Sequence, residues 1–267
     1  MKDKELVKRI MSVLVLLPVL LALVFFNRHT CDILFLSLIV ATLFEYEKIF
    51  NIHKTLMKIT LAVGIFFYLT EILSNIALGN GLKLCSVMSL LILGLFFRKH
   101  ENNIIVDSIL SGFGILYISL PFCLFRRMAF VDGHYEASVI IGIFCLVWIN
   151  DTFAFFCGKA FGKHKFIPLI SPKKTIEGLI GGILAVAVCS IVIGYFTKVY
   201  SKEFWIVSGV MVMFFGTLGD LIASALKRYV GVKDFGTLIP GHGGFLDRFD
   251  SLIFVIPFIY LTYIIFM

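Results

Sequence analysis

Residues 216–250 read GTLGDLIASALKRYVGVKDFGTLIPGHGGFLDRFD, and the parsing of this stretch decides the fold. As far as Arg228 the pattern is helical, with Leu221, Ile222, Ala225 and Leu226 between polar positions. At 3.6 residues per turn Asp220, Ser224 and Lys227 stand at i, i+4 and i+7, so they share one helix face. From Gly231 to Gly244 glycine and proline punctuate a loop that no regular element would accept. Asp247-Arg248-Phe249-Asp250 then leads into the last apolar run. A charged helix, a Gly-rich cationic loop and a second helix describe a membrane protein whose chemistry lies at one surface. The competing reading is a solvated loop with ordinary charges. Asp220 weighs against it, because a carboxylate in an apolar span is costly unless partnered.

Composition around this stretch excludes a water-soluble domain. The 267 residues are 60% hydrophobic and 15% charged, with a mean hydropathy of +1.00. Apolar runs long enough to cross a hydrocarbon core of about 30 Å recur from end to end. The expected fold is all-α and polytopic, a single integral membrane domain. About nine spans are predicted, near 10–26, 31–50, 56–74, 82–97, 104–125, 136–156, 175–197, 203–226 and 250–267. Within that domain an N-terminal helical part covers about 1–135 and a catalytic part about 136–267. The first span follows the charged residues 1–9, lacks a small-residue cleavage site and is read as retained.

A cytoplasmic N-terminus places 18 of the 24 lysines and arginines on the cytoplasmic side, the bias expected of a polytopic protein. The net charge of +7 then reports loops beside anionic lipid, with no nucleic-acid partner. Both basic loops, 157–174 and 227–248, face the cytoplasm in this topology. The six cysteines form no CxxC pair, which suits buried, reduced thiols.

Four further observations bear on chemistry. Glu45 and Glu47 lie at the cytoplasmic end of the second span, where snorkelling interface charges are expected. Glu71, near the outer end of the third span, is taken as structural. Asp151 follows Asn150 in the sixth span and precedes a run of lysines, which makes it a functional candidate. The stretch Ser171-Pro172-Lys173-Lys174-Thr175 is expected to open the seventh span, with Ser171 as cap and Pro172 in the first turn. Two lysines at a helix N-terminus would make an anion site. A purely topological role for them is the alternative, and Gly178 with Gly182 reads as a helix-packing surface. No GxxxxGK[ST] pattern is present, so no P-loop is claimed.

Together the two basic loops and the carboxylates Asp220 and Asp247 match Mg²⁺-assisted cleavage of a nucleoside triphosphate at phosphorus. His242, among Gly241, Gly243 and Gly244, is a candidate phosphate ligand or proton handler.

Residues 224–250, from Ser224-Ala-Leu-Lys227-Arg228 through Lys233-Asp234-Phe-Gly236 to Pro240-Gly-His242-Gly-Gly-Phe-Leu-Asp247-Arg248-Phe-Asp250, resemble the signature of the phosphatidate cytidylyltransferase (CDP-diacylglycerol synthase) family without departure. Asn150-Asp151 and Ser-Pro-Lys-Lys-Thr-x-Glu-Gly are similar to upstream motifs of that family. The resemblance covers about the last 120 residues by motif; the earlier half matches only in hydropathy. It implies that CTP and phosphatidic acid give CDP-diacylglycerol and pyrophosphate, with Mg²⁺, at the inner membrane of the cell. By that likeness Asp220 and Asp247 hold the metal, and Asp250 is a further ligand or orients them. Asp220, Lys227, His242, Asp247 and Asp250 form the catalytic set. Asp151, Ser171, Lys173, Lys174, Ser224, Arg228, Lys233, Asp234 and Arg248 are substrate-binding candidates. A homodimer is carried as an open expectation. Two other readings remain at this point: an ion-coupled transporter, which should show inverted repeats, and another lipid-headgroup enzyme, a polyprenol kinase or an ether-lipid cytidylyltransferase.

Overall fold

A computed structural model describes residues 2–73, 104–131, 133–168, 170–241 and 243–267. Helix α1 (Lys2–Phe26) opens the chain. It is followed by α2 (Arg28–Ile49), α3 (Lys54–Leu73), α4 (Val106–Met128), α5 (Ala137–Phe161), α6 (Ile176–Phe196), α7 (Lys202–Tyr229) and α8 (Leu246–Phe266), seven helices long and apolar enough to span a bilayer. The all-α polytopic architecture follows from this set. Eight of the expected spans fall on these helices, and the ninth, near 82–97, lies outside the described residues. Two antiparallel ribbons interrupt the helices: β1 (Phe130–Val131) with β2 (His134–Tyr135), and β3 (Lys165–Ile167) with β4 (Ser171–Thr175).

The chain divides into two compact units, Met1–Cys123 with Asp234–Arg248, and Leu124–Lys233 with Phe249–Met267. In the first unit Asn27 caps α2 by accepting from the amides of His29 and Thr30, and Thr30 reciprocates in a capping box. Phe35 is fully buried against the rings of Phe122 and Tyr68. Tyr46 reaches α4, where its hydroxyl donates to the Leu110 carbonyl at 3.2 Å. Gly114 leaves the space that this ring occupies, since a Cβ there would meet it at 2.7 Å.

The second unit is built on small residues. Gly178, Gly182, Val186, Ser190 and Gly194 form the buried stripe of α6 at four-residue spacing. A Cβ on Gly178 would meet the Ala154 carbonyl of α5 at 2.5 Å, and one on Gly182 would meet Asn150 at 2.9 Å. Close backbone approach of this kind is what packs helices in lipid, where burial alone gives little drive. Gly178 and Gly182 are thus a packing surface, as read from their spacing. The opposite stripe of α6, Leu184, Val188, Ile191 and Tyr195, is exposed and suited to lipid tails.

Helix α7 contains one π-helical turn, Val212–Gly216, just before Asp220. Such turns are frequent at functional positions because they re-aim the side chains that follow. A second one, Ile115–Ser119, lies within α4.

One local expectation is corrected. Ser171–Thr175 is not the first turn of a helix but strand β4, paired with β3 through Lys165 with Thr175 and Ile167 with Ser171. The helix starts at Ile176, and its cap is Thr175, whose hydroxyl accepts the Gly178 amide at 3.2 Å. Pro172 is compatible with an edge strand as well as with a first helical turn, and the hairpin pairing of β3 with β4 decides between them.

Candidate active site

In the first unit the loop Asp234–Arg248 is closed by a bridge in which the Ile239 amide donates to the Gly243 carbonyl at 2.9 Å. Gly241 and Gly243 take φ of 78° and 87°, a conformation that side-chain-bearing residues rarely adopt. Asp247 fastens the loop from the first turn of α8. Its Oδ2 accepts the amides of Phe235 at 2.8 Å and Gly244 at 3.0 Å. Asp234 is exposed and lies beside Gly243 together with Asp247. Arg248 is exposed. His242 lies outside the described residues. Ser12 of α1 donates to the Pro240 carbonyl at 2.8 Å, beside an apolar cavity of about 330 Å³ lined by Met11, Val15, Leu16, Leu238, Ile239 and Phe245.

Glu45 of α2 also belongs to this loop. It is 2% exposed, and its carboxylate accepts the amides of Phe245 at 3.1 Å and Leu246 at 2.9 Å. The snorkelling reading is therefore wrong for Glu45, and equally for Glu47, which is fully buried near Ser111 and Thr60. A hint was present in the spacing. Residues at i and i+2 point to different sides of a helix, so at most one of the two could have reached the interface easily.

The second unit gathers carboxylates and lysines. Lys174 of β4 places its ammonium 2.5 Å from Asp220 Oδ2, while Ser224 donates to Asp220 Oδ1 at 3.3 Å. Lys227, about two turns further along the same helix face, stands 4.0 Å from Asp250 Oδ2. Asp250 is 7% exposed, and its Oδ1 accepts the Ser251 amide at 2.8 Å. Asp220 and Asp151 both lie close enough to act on it electrostatically. Asn150 orients Asp151 through a 3.5 Å contact. Lys227 thus stands near Asp250, and Lys174 brings a cation from the ribbon to Asp220.

The remaining candidates fall around these pairs. Ser171 is half-buried on β4, with Lys173 exposed beside it. Arg228 donates to the Val232 carbonyl at 3.3 Å, closing the end of α7, and Lys233 is exposed. Glu177 holds the approach to the ribbon by accepting the amides of Lys163 at 3.0 Å and His164 at 3.2 Å. Among the described residues no three His, Cys, Asp or Glu side chains group as a metal cage. The oxygen donors here suit a hard cation that takes one or two carboxylates and fills its shell with water and substrate phosphates, as Mg²⁺ does. Lysines and carboxylates at the ends of membrane helices fit a phosphate-bearing substrate and a counter-cation.

The class defined so far is a polytopic membrane protein with a site of alternating ammonium and carboxylate groups. Comparison with known proteins names the family: residues 7–266 match the cytidylyltransferase family, and the chain belongs to it. A protein of Staphylococcus haemolyticus called phosphatidate cytidylyltransferase is 34% identical over 257 residues, 93% of this chain and 94% of that one. A protein of the same name from Staphylococcus aureus is 39% identical over 178 residues, which is 66% of either length. A third, from Staphylococcus saprophyticus, is 36% identical over 182 residues, 67% of this chain and 68% of the relative.

Proposed function

We propose that this protein transfers CMP from CTP to phosphatidic acid, forming CDP-diacylglycerol and releasing pyrophosphate. The observation that carries the reading is the family match over almost the whole chain. The ammonium–carboxylate pairs of the second unit supply matching chemistry. A non-bridging oxygen of the lipid phosphate attacks the α-phosphorus of CTP. The bond from that phosphorus to the bridging oxygen breaks, and pyrophosphate leaves with the electron pair. Little covalent work falls to the protein, so positioning and charge neutralisation dominate.

Lys174 and Lys227 are the first candidates to meet phosphate oxygens, because each is already a cation held at a carboxylate. An arriving phosphate replaces one anionic partner by another. Lys173, Arg228 and Lys233 of the second unit and Arg248 of the first are further candidates for phosphate, and Ser171, Ser224, Asp151 and Asp234 are candidates for polar contacts to substrate. His242 is assigned to a phosphate or to proton handling. Asp220 and Asp247 would hold Mg²⁺, which supplies charge neutralisation at the phosphates when bound. Asp250 orients this set from its buried place beside Lys227. The bias of lysine and arginine supports a site at the cytoplasmic face with the N-terminus inside, and the inner membrane is the compartment we assign to it. CTP then arrives from water while the acyl chains stay in the bilayer.

The test is a reconstitution of the full chain in vesicles with α-labelled CTP and defined lipids. Label entering phosphatidate-containing vesicles as CDP-diacylglycerol, with stoichiometric pyrophosphate, supports the reading. Transfer of γ-label to a polyprenol, or no transfer to phosphatidate, overturns it.

A further inference from the structure

We infer that Glu45 is a positioning residue for the loop Asp234–Arg248, a buried anionic clasp that sets where Asp247 and Arg248 are presented to substrate. The inference rests on the reading above only for the chemistry that the loop serves; the clasp itself stands on geometry. Glu45 lies one turn before the end of α2 and is shut off from solvent. Its two carboxylate oxygens each take one amide, Phe245 on Oε1 and Leu246 on Oε2. The Leu246 amide is the first of α8 and the Phe245 amide directly precedes it, at the end where a helix leaves N–H groups without internal partners and carries its positive pole. A carboxylate satisfies both demands at once.

Two glycines bear independent witness. A Cβ on Gly236 or on Gly244 would overlap the Glu45 carboxylate itself. Neither glycine has the positive φ found at Gly241 and Gly243, so backbone conformation does not require glycine at these two places. The proximity of Glu45 does. The loop therefore touches Glu45 at three points along its length: at Gly236, at Gly244, and at the Phe245–Leu246 amides. Asp247 binds the amides of Phe235 and Gly244 from the other direction. Four backbone donors are thereby committed to two carboxylates. They are not the groups that bind phosphate; that work falls to side chains which the clasp orients.

Three substitutions in the full-length protein in nanodiscs test this, read first by amide hydrogen exchange without substrate and then by kinetics. Glu45→Gln keeps size but offers one acceptor and an NH₂ to two amides. Peptides spanning 234–248 should then exchange about tenfold faster or more, with the rest of the chain unchanged. Turnover should fall on the order of 10²-fold, the cost of misplacing reacting groups by about an ångström, with KM for CTP shifting less than about threefold. Gly244→Ala should give the same local pattern. In a Glu45→Ala background, however, Gly244→Ala should add less than about a twofold change, because the carboxylate atoms that the methyl would overlap are then gone. Unchanged loop exchange in Glu45→Gln, acceleration spread over all helices, or independent effects of Glu45→Ala and Gly244→Ala would each overturn the clasp. The exchange arm is blind to the reaction, so a failed transferase assay with loop-local exchange would strike the reading of function and leave the clasp standing.

Discussion

The two units neutralise their carboxylates in opposite ways. In the first, Glu45 and Asp247 are met by backbone amides of a Gly-rich loop. In the second, Asp220 and Asp250 are met by the ammonium groups of Lys174 and Lys227. Amide donors are fixed in the chain and cannot leave, so the first kind of pairing stores geometry. Ammonium groups ride on flexible stems and can exchange one anion for another, so the second kind is poised for phosphate. The contrast teaches that charge in a membrane protein is spent either on shape or on exchange.

The largest effect belongs to Asp220, on the exchangeable side, and to Asp247, whose amide-held carboxylate is also assigned to the cation. Asp220→Asn preserves the Ser224 contact and the shape of the side chain but removes the charge that a cation needs. Turnover should drop on the order of 10²-fold or more with little loss of folded protein. Asp247→Asn should lose as much, and the double variant should fall far short of the product if both residues serve one ion. Steady-state kinetics over a Mg²⁺ series checks this. Full Mg²⁺-dependent activity in either variant would break the metal assignment.

A second, smaller effect concerns Lys174 and its ribbon. Lys173→Gln with Lys174→Gln removes the cation from Asp220 and two charges from the edge of β4. KM for CTP or phosphatidate should rise roughly tenfold, about the 1.4 kcal/mol of one good phosphate contact. A correctly inserted double variant with wild-type kcat/KM would mean that these lysines serve topology alone.

The third effect is on stability. Asp250 and Lys227 are both largely buried, and a charged group left there without its partner costs about 1–3 kcal/mol or more. Lys227→Met should lower the thermal inactivation midpoint, and Asp250→Asn added to it should recover part of the loss. A double variant less stable than Lys227→Met would show that the pair does not act as a unit.

Much of this was legible in the chain, for local reasons. Span positions followed from apolar run length, and the packing role of Gly178 and Gly182 from their spacing. The Asp220–Ser224 contact followed from the i, i+4 rule, since both ends lie on one helix. Pairings across the fold were not legible. Helical-face arithmetic sees only its own helix, so it could not show that β4 brings Lys174 to Asp220. Pro172 suits a first helical turn and an edge strand alike, so its residue type could not announce even the short β3–β4 hairpin. Glu45 meets Leu246 across 201 residues of sequence, and interface charge was the natural reading without that contact.

The smallest effect sharpens the comparison most, because it asks whether an amide-gripping carboxylate matters by type or by burial. Glu177 resembles Glu45 in what it does: it accepts the amides of Lys163 and His164 and bonds the His164 ring at 2.7 Å. It differs in setting, for the His164 side chain is 74% exposed and that of Glu177 24%. Water can replace each of these bonds when the carboxylate is lost, and exposed pairs contribute little. Glu177→Gln should therefore speed exchange at residues 162–165 only, and change kcat/KM less than about threefold. Glu45→Gln, with the same atoms exchanged, should cost far more because its amides have no water to turn to. Equal losses in the two variants would mean that the grip matters wherever it occurs. The division between shape and exchange would then have to be redrawn around burial-independent loop anchoring.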